Sequence, residues 1–231
     1  MKRSAYLSMI VILLFSTKTY PQTAKEIIQQ VRAKLDKVND YEAKGKLKTN
    51  VIFIKAPIAN VRIYFKKPNK LKIYNENGIS FIPKGSVNIS LNNIFSNSDN
   101  YDVIDVGKEE STDLRIIKLL PKDDSAEIVL STLYIDEKQS LIKKAKTTTK
   151  ENGTYELEMT YGKYTEYGLA DKIVFSFNIK EYKLPKGVTF DYDDGSKKKE
   201  DADPLKNRKG KVEISYSEYI INKGVPDSVF K

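Results

Sequence analysis

The chain has 231 residues, a net charge of +9, and no Cys, His or Trp. Lacking Cys and His, it has no thiol nucleophile, no Ser-His-Asp or Cys-His arrangement and none of the commonest zinc ligands, so the prior for an enzyme falls. Disulfides and a lipid-bearing N-terminal cysteine are excluded on the same ground.

The N-terminus reads as an export signal over residues 1–22, leaving one domain over 23–231. Met1-Lys2-Arg3 is basic, Tyr6 to Phe15 is apolar apart from Ser8, and Ser16 to Pro21 is polar with a breaker. This is the three-part pattern of a secretory signal. The apolar run is shorter than the roughly 20 residues that span a bilayer, although an N-terminal anchor is the rival reading. Losing Lys2, Arg3 and Lys18 with the signal leaves +6 on about 210 residues, enough for one sizeable core. The expected compartment is a periplasm or the outside medium. A basic surface there suits either solvation or an anionic membrane or acidic partner, while nucleic acid is not expected.

Ile27, Ile28, Val31, Leu35 and Val38 share one face at helical spacing. Thr23 and Glu26 form a capping box, and the helix is expected to end at Asn39-Asp40. Its single apolar stripe predicts packing against a sheet. From Tyr41 the period becomes two: Ala43, Gly45, Leu47, Thr49, Val51 and Phe53, then Ala59, Val61, Ile63 and Phe65. Further strands are expected near 70–75, 79–83, 101–107, 113–120, 126–135, 140–149, 153–164, 172–180, 187–193 and 211–221. Short turns such as Lys67-Pro68-Asn69 and Asn152-Gly153 favour antiparallel neighbours. About a dozen such strands predict a large curved sheet or barrel.

Val87 to Ser96 breaks the series, with Leu91, Ile94 and Phe95 at helical spacing. It reads as a short helix or turn covering something apolar, or as a loop anchored by those side chains. Asp194 to Lys211 is charged and reads as a solvated hairpin loop, with a membrane or partner contact as the alternative. Asp191, Asp193 and Asp194 before Gly195 lack calcium-loop spacing. Leu157 to Tyr164 echoes Val212 to Tyr219, both alternating and both ending in Tyr-x-x-Tyr. Two strands with the same facing demand explain this better than a domain repeat.

No catalytic constellation stands out, and no cofactor is expected. A curved sheet with one helix and one apolar flap has a different capability, the enclosure of an apolar ligand. A large apolar patch must be covered in water, and each methylene it buries contributes about 0.8 kcal/mol. Val61, Ile63 and Phe65 on one strand and Leu157 and Met159 on another are the candidate lining. Leu91, Ile94 and Phe95 are the candidate cover.

At this level the sequence resembles the periplasmic outer-membrane lipoprotein carriers, the LolA/LolB-like family. The similarity is carried by Val31-Arg32-Ala33-Lys34-Leu35-Asp36-Lys37-Val38 with Tyr41 and Ala43, by Ile63 to Leu71, and by Leu119-Leu120-Pro121-Lys122. It continues in Tyr134-Ile135-Asp136 through Leu141-Ile142-Lys143-Lys144 and in Leu184-Pro185-Lys186-Gly187-Val188. The resemblance implies a mainly β (α+β) fold, an incomplete antiparallel barrel of about eleven strands with helices over its concave face. It implies a monomeric, non-enzymatic periplasmic carrier of acylated lipoproteins or lipids. Cargo would come from an inner-membrane ABC-type release complex and pass to an outer-membrane acceptor. A lipid-binding sensor on the same scaffold is the alternative, and a carboxylate hydrolase a remote third. Where the family has a latch arginine that holds the empty form closed, this chain has Lys67, which cannot make the planar multi-donor contact. The segment from Asn77 to Glu110 is shorter and poorer in aromatics than the family's lid region, and the tail from Asn222 to Phe230 extends beyond the shortest carriers.

Overall fold

The computed structural model describes residues 22–50, 58–68, 70–75, 100–151, 153–178 and 209–230. One helix, α1 (Ala24–Leu35), precedes ten strands: β1 (Asp40–Asn50), β2 (Ala59–Lys66), β3 (Lys70–Asn75), β4 (Tyr101–Lys108), β5 (Arg115–Pro121), β6 (Ile128–Asp136), β7 (Leu141–Thr149), β8 (Gly153–Thr160), β9 (Lys172–Asn178) and β10 (Lys209–Ile221). The strands form a single antiparallel sheet in the order β3-β2-β1-β10-β9-β8-β7-β6-β5-β4. Two meanders, β1–β3 and β4–β10, are joined where β10 pairs with β1. Among the described residues β3 and β4 are its two edges, so the sheet is open.

The period-two reading holds where it can be seen. Ala43, Gly45 and Leu47 are buried between exposed Lys44, Lys46 and Lys48, and Val61, Ile63 and Phe65 are buried on β2. Two glycines make room for neighbours. A Cβ on Gly45 would lie 2.7 Å from the Ser215 carbonyl oxygen, beside the bulge that leaves Ser217 without an opposite residue. At Gly210, paired with Phe177, a Cβ would lie 2.4 Å from the Phe177 ring, which fills the space instead.

Helix α1 starts as expected: Glu26 N–H donates to Thr23 Oγ1 at 3.3 Å, and Thr23 N–H donates to Glu26 Oε2 at 2.8 Å. It ends earlier than the spacing predicts. Asp36 is its C-cap, and Val38, though 3% exposed, is buried from the following turn. The strand expected over 153–164 stops at Thr160, because Tyr161 to Ala170 turns back over the sheet. The loop expected to reach Lys211 gives way to β10 at Lys209. The strands expected at 79–83 and 187–193, the flap at 87–96 and residues 1–21 lie outside the described residues.

Ile27, Ile28 and Val31 pack into one cluster with Ile117, Leu133, Ala145, Leu157, Met159 and Phe175, so the helix closes over the β5–β9 half of the sheet. A fully buried Ser131–Thr147 hydroxyl pair, 3.0 Å apart, sits on the same face and satisfies itself. A second cluster, centred on Ala43, Leu47, Val61, Ile63 and Tyr219, occupies the β1–β2–β10 half.

Candidate functional site

Pairing registers across the sheet define the apolar face. One cross-strand row runs Ala59–Leu47–Ile214–Ile173–Met159. The next runs Val212–Phe175–Leu157–Ala145–Leu133–Ile117. On the other side Ile73–Ile63–Ala43–Tyr219 and Leu71–Phe65–Tyr41–Ile221 continue the face to β3. None of these positions carries a charge. Helix α1 accounts for the burial of the β5–β9 end, whereas Leu71, Ile73, Ile173, Val212 and Ile214 are only half-buried. The site is therefore an apolar, partly uncovered strip beside the helix footprint.

Of the residues singled out from sequence, Val61 and Ile63 line the β1–β2–β10 half, with Phe65 stacked on Tyr41 at 5.2 Å between ring centroids. Leu157 and Met159 lie in the helix-covered cluster, and Met159 ends the row that reaches Ala59 on β2. Leu91, Ile94 and Phe95 lie outside the described residues. Lys67 contacts the helix: its Nζ donates to the Asp36 carbonyl oxygen at 3.0 Å and to Asp36 Oδ1 at 3.1 Å. Two further lysines hold the same end. Lys34 Nζ donates to the Gln139 and Thr165 carbonyls, and Lys37 Nζ donates to the Glu166 carbonyl at 3.3 Å. Cations on the last carbonyls of a helix also suit its dipole.

The echo between residues 157–164 and 212–219 has a geometric cause. Leu157 and Val212 face Phe175 from opposite sides, Glu158 and Glu213 face Val174, Met159 and Ile214 face Ile173, and Thr160 and Ser215 face Lys172. The two copies flank β9 in the same register. Their closing tyrosines then meet: Tyr164 and Tyr219 pack edge to face at 4.8 Å, and Tyr219 N–H donates to Tyr164 Oη at 3.2 Å. Tyr41 and Tyr216 pack on Tyr219 as well. This tyrosine cluster was not foreseen, although the repeated Tyr-x-x-Tyr was its signal.

Tyr219 Oη donates to the Ala170 carbonyl at 2.8 Å. Burial, reinforced by Tyr216 and Tyr41, raises its phenol far above the ordinary value. The neutral form is thus favoured in the folded chain, while the unfolded phenol ionises near pH ~10. Above that pH the unfolded state holds fewer protons, so stability falls as pH rises. Urea unfolding followed across about pH 8–11 should show a flat region and then a decline. Removing the hydroxyl in Tyr219→Phe should lessen the decline, with buried Tyr41 and Tyr216 supplying the rest; an unchanged profile would mean that Tyr219 does not contribute to it.

A shallow recess with about 10 Å³ of room for a water-sized molecule lies beside the helix end, lined by Val31, Leu35, Ser140, Leu141, Ile142 and Tyr161. That is room for about one water, against the roughly 300–1,000 Å³ of ordinary ligand sites. In this form, holding a long acyl chain would require α1 to move or the uncovered strip to be used.

No family model matches the chain, and no curated protein matches it. Solved structures do. A DUF1329 family protein from Desulfovibrio piger superposes with a TM-score of 0.55 at 12% identity, covering 91% of this chain and 98% of that one. A LolA superfamily protein from Nitrosomonas europaea superposes with a TM-score of 0.52 at 12% identity, again over 91% and 98%. Superposition over this length at 12% identity shows the fold alone, and the incomplete-barrel architecture expected from the sequence is the one observed, with ten strands described.

Proposed function

We propose, from the LolA-like fold that this chain has, that it is a non-enzymatic carrier sheltering the acyl chains of lipoproteins or lipids against the apolar face of its sheet. Residues 1–22 direct it to the periplasm, where it moves cargo from an inner-membrane release complex towards the outer membrane. The observation carrying this reading is the uncharged apolar face that runs from β3 to β9, buried at Ile63, Ala43 and Leu47 and half-buried at Leu71, Ile73, Ile214 and Ile173, beside a helix that is held at one end by three lysines.

Magnitudes support exchange between helix and cargo. Undocking Ile27, Ile28 and Val31 forfeits about 1.5–3 kcal/mol each. About ten buried methylenes return about 8 kcal/mol. The two sums are of the same size, so an acyl chain can replace the helix and the helix can later expel the chain. Lys67 acts as a weak latch on the covered form. Its contact is partly exposed, so removing it shifts the balance by about 0.5–1 kcal/mol, or about two- to fivefold.

The test is displacement of a bound apolar dye by diacylated peptide. Uptake by the wild type, and uptake at two- to fivefold lower peptide concentration by Lys67→Ala, is expected. No uptake of any acylated molecule would end the carrier reading, and equal uptake by Lys67→Ala would end the latch. Uptake without handover to acceptor membranes would favour the lipid-sensor alternative.

A further inference from the structure

The opposite, outer face of the sheet carries a separate feature. At the β3 edge, Lys66 and Lys70 converge on one oxygen, Asp227 Oδ1, each at 3.0 Å. Asp227 belongs to the C-terminal tail, which folds over β2 and β3. Lys66 Nζ also donates to the Val225 carbonyl at 3.1 Å, Tyr74 Oη donates to the Val229 carbonyl at 2.8 Å, and Lys70 lies 6.0 Å from the centre of the Phe230 ring. The arrangement is an oxyanion site filled by the chain's own carboxylate. It is accessible: the Asp227 side chain is 60% exposed, and those of Lys66 and Lys70 34% and 45%.

The surrounding face extends this chemistry. Arg62 and Lys72 alternate with Tyr64 and Tyr74, which pack edge to face at 5.7 Å, and Lys44, Lys46 and Lys48 follow on β1. The carboxylates among them are Asp40, opposite Lys66, Glu42, beside Arg62, and, on β10, Glu218 on Lys44 and Glu213 opposite Lys48. A positive field spread across three strands, with amphipathic tyrosines between the cations, suits a planar anionic surface better than a single peptide carboxylate.

We infer that the outer face of β2 and β3 is a docking surface for the anionic headgroups of a lipid bilayer, shielded in this form by the chain's own tail at Asp227. Phosphates take the place of the Asp227 carboxylate when the tail lifts. The inference stands apart from the cargo reading, since it concerns the other face of the sheet.

The experiment is sedimentation of the full chain with vesicles of phosphatidylcholine, or of one part phosphatidylglycerol to two of phosphatidylcholine. Binding should require phosphatidylglycerol and weaken with salt. Asp227→Ala should bind severalfold more tightly. Lys66→Glu with Lys70→Glu should lose at least tenfold, and Lys66→Gln with Lys70→Gln should lose less. The same reversal at Lys118 and Lys146, on the outer face of β5 and β7, should cost little. Melting temperatures verify that each variant folds. Equal losses from the two reversals, no gain in Asp227→Ala, or binding of acidic peptide but of neither vesicle would overturn the inference.

Discussion

Ile214→Glu is expected to reduce acyl-chain uptake at least tenfold while the chain stays folded. Ile214 lies between Leu47 and Ile173 in the row that crosses from β2 to β8, and it is only half-buried. A carboxylate there keeps contact with water in the empty protein, so folding suffers modestly. Cargo would have to strip that water away, and burying an unpaired charge is far more costly than the tenfold, about 1.4 kcal/mol, asked of it. The control is Ser215→Glu, one residue along β10, which points to the other face beside Lys46 and Lys172. Dye displacement should be normal in the control and lost in Ile214→Glu. Normal uptake in both would show that the strip between β1 and β9 does not hold the cargo.

Much of this site was legible because a half-buried strand writes its facing into alternate residues. Val61, Ile63 and Phe65, or Leu157 and Met159, announce which side is apolar without reference to anything distant. Pairing cannot be read that way. Nothing local in Leu47 shows that Ile214, far along the chain, is its neighbour, so the union of β1 with β10 and the rows that cross it emerge only from the fold. The helix end shows a similar limit. Val38 continues the apolar spacing, yet Asp36 already caps the helix and leaves Val38 to be buried from a turn. The role of Lys67 was suggested by resemblance alone. Its geometry joins it to Lys34 and Lys37, whose contacts with Thr165 and Glu166 depend on a turn more than a hundred residues away. The outer-face site at Asp227 was hidden for the same reason, since its anion lies 161 residues from Lys66 and 157 from Lys70.

Ala145→Leu is expected to destabilise the chain yet increase acyl-chain uptake. Ala145 is fully buried between Leu133 and Leu157, in the cluster that α1 closes. A larger side chain overpacks that cluster, at a cost of about 1–3 kcal/mol, equivalent to a melting temperature lower by about 2–4 °C per kcal/mol for a chain of this size. The strain must move something. The flanking strands are held by ladder hydrogen bonds on both sides, whereas α1 is held by one apolar stripe, three lysines and a side-chain hydrogen bond from Ser140 to Gln30. The helix is therefore the element that yields, and amide exchange should accelerate across residues 27–35 more than in β6–β8. Leu133→Ala separates this from general loosening. It should cost about 2–5 kcal/mol by leaving a void, without pushing the helix away. Higher uptake in Ala145→Leu alone identifies α1 as the movable cover. Equal gains in both variants would assign uptake to nonspecific softening of the core and remove the helix from the loading step.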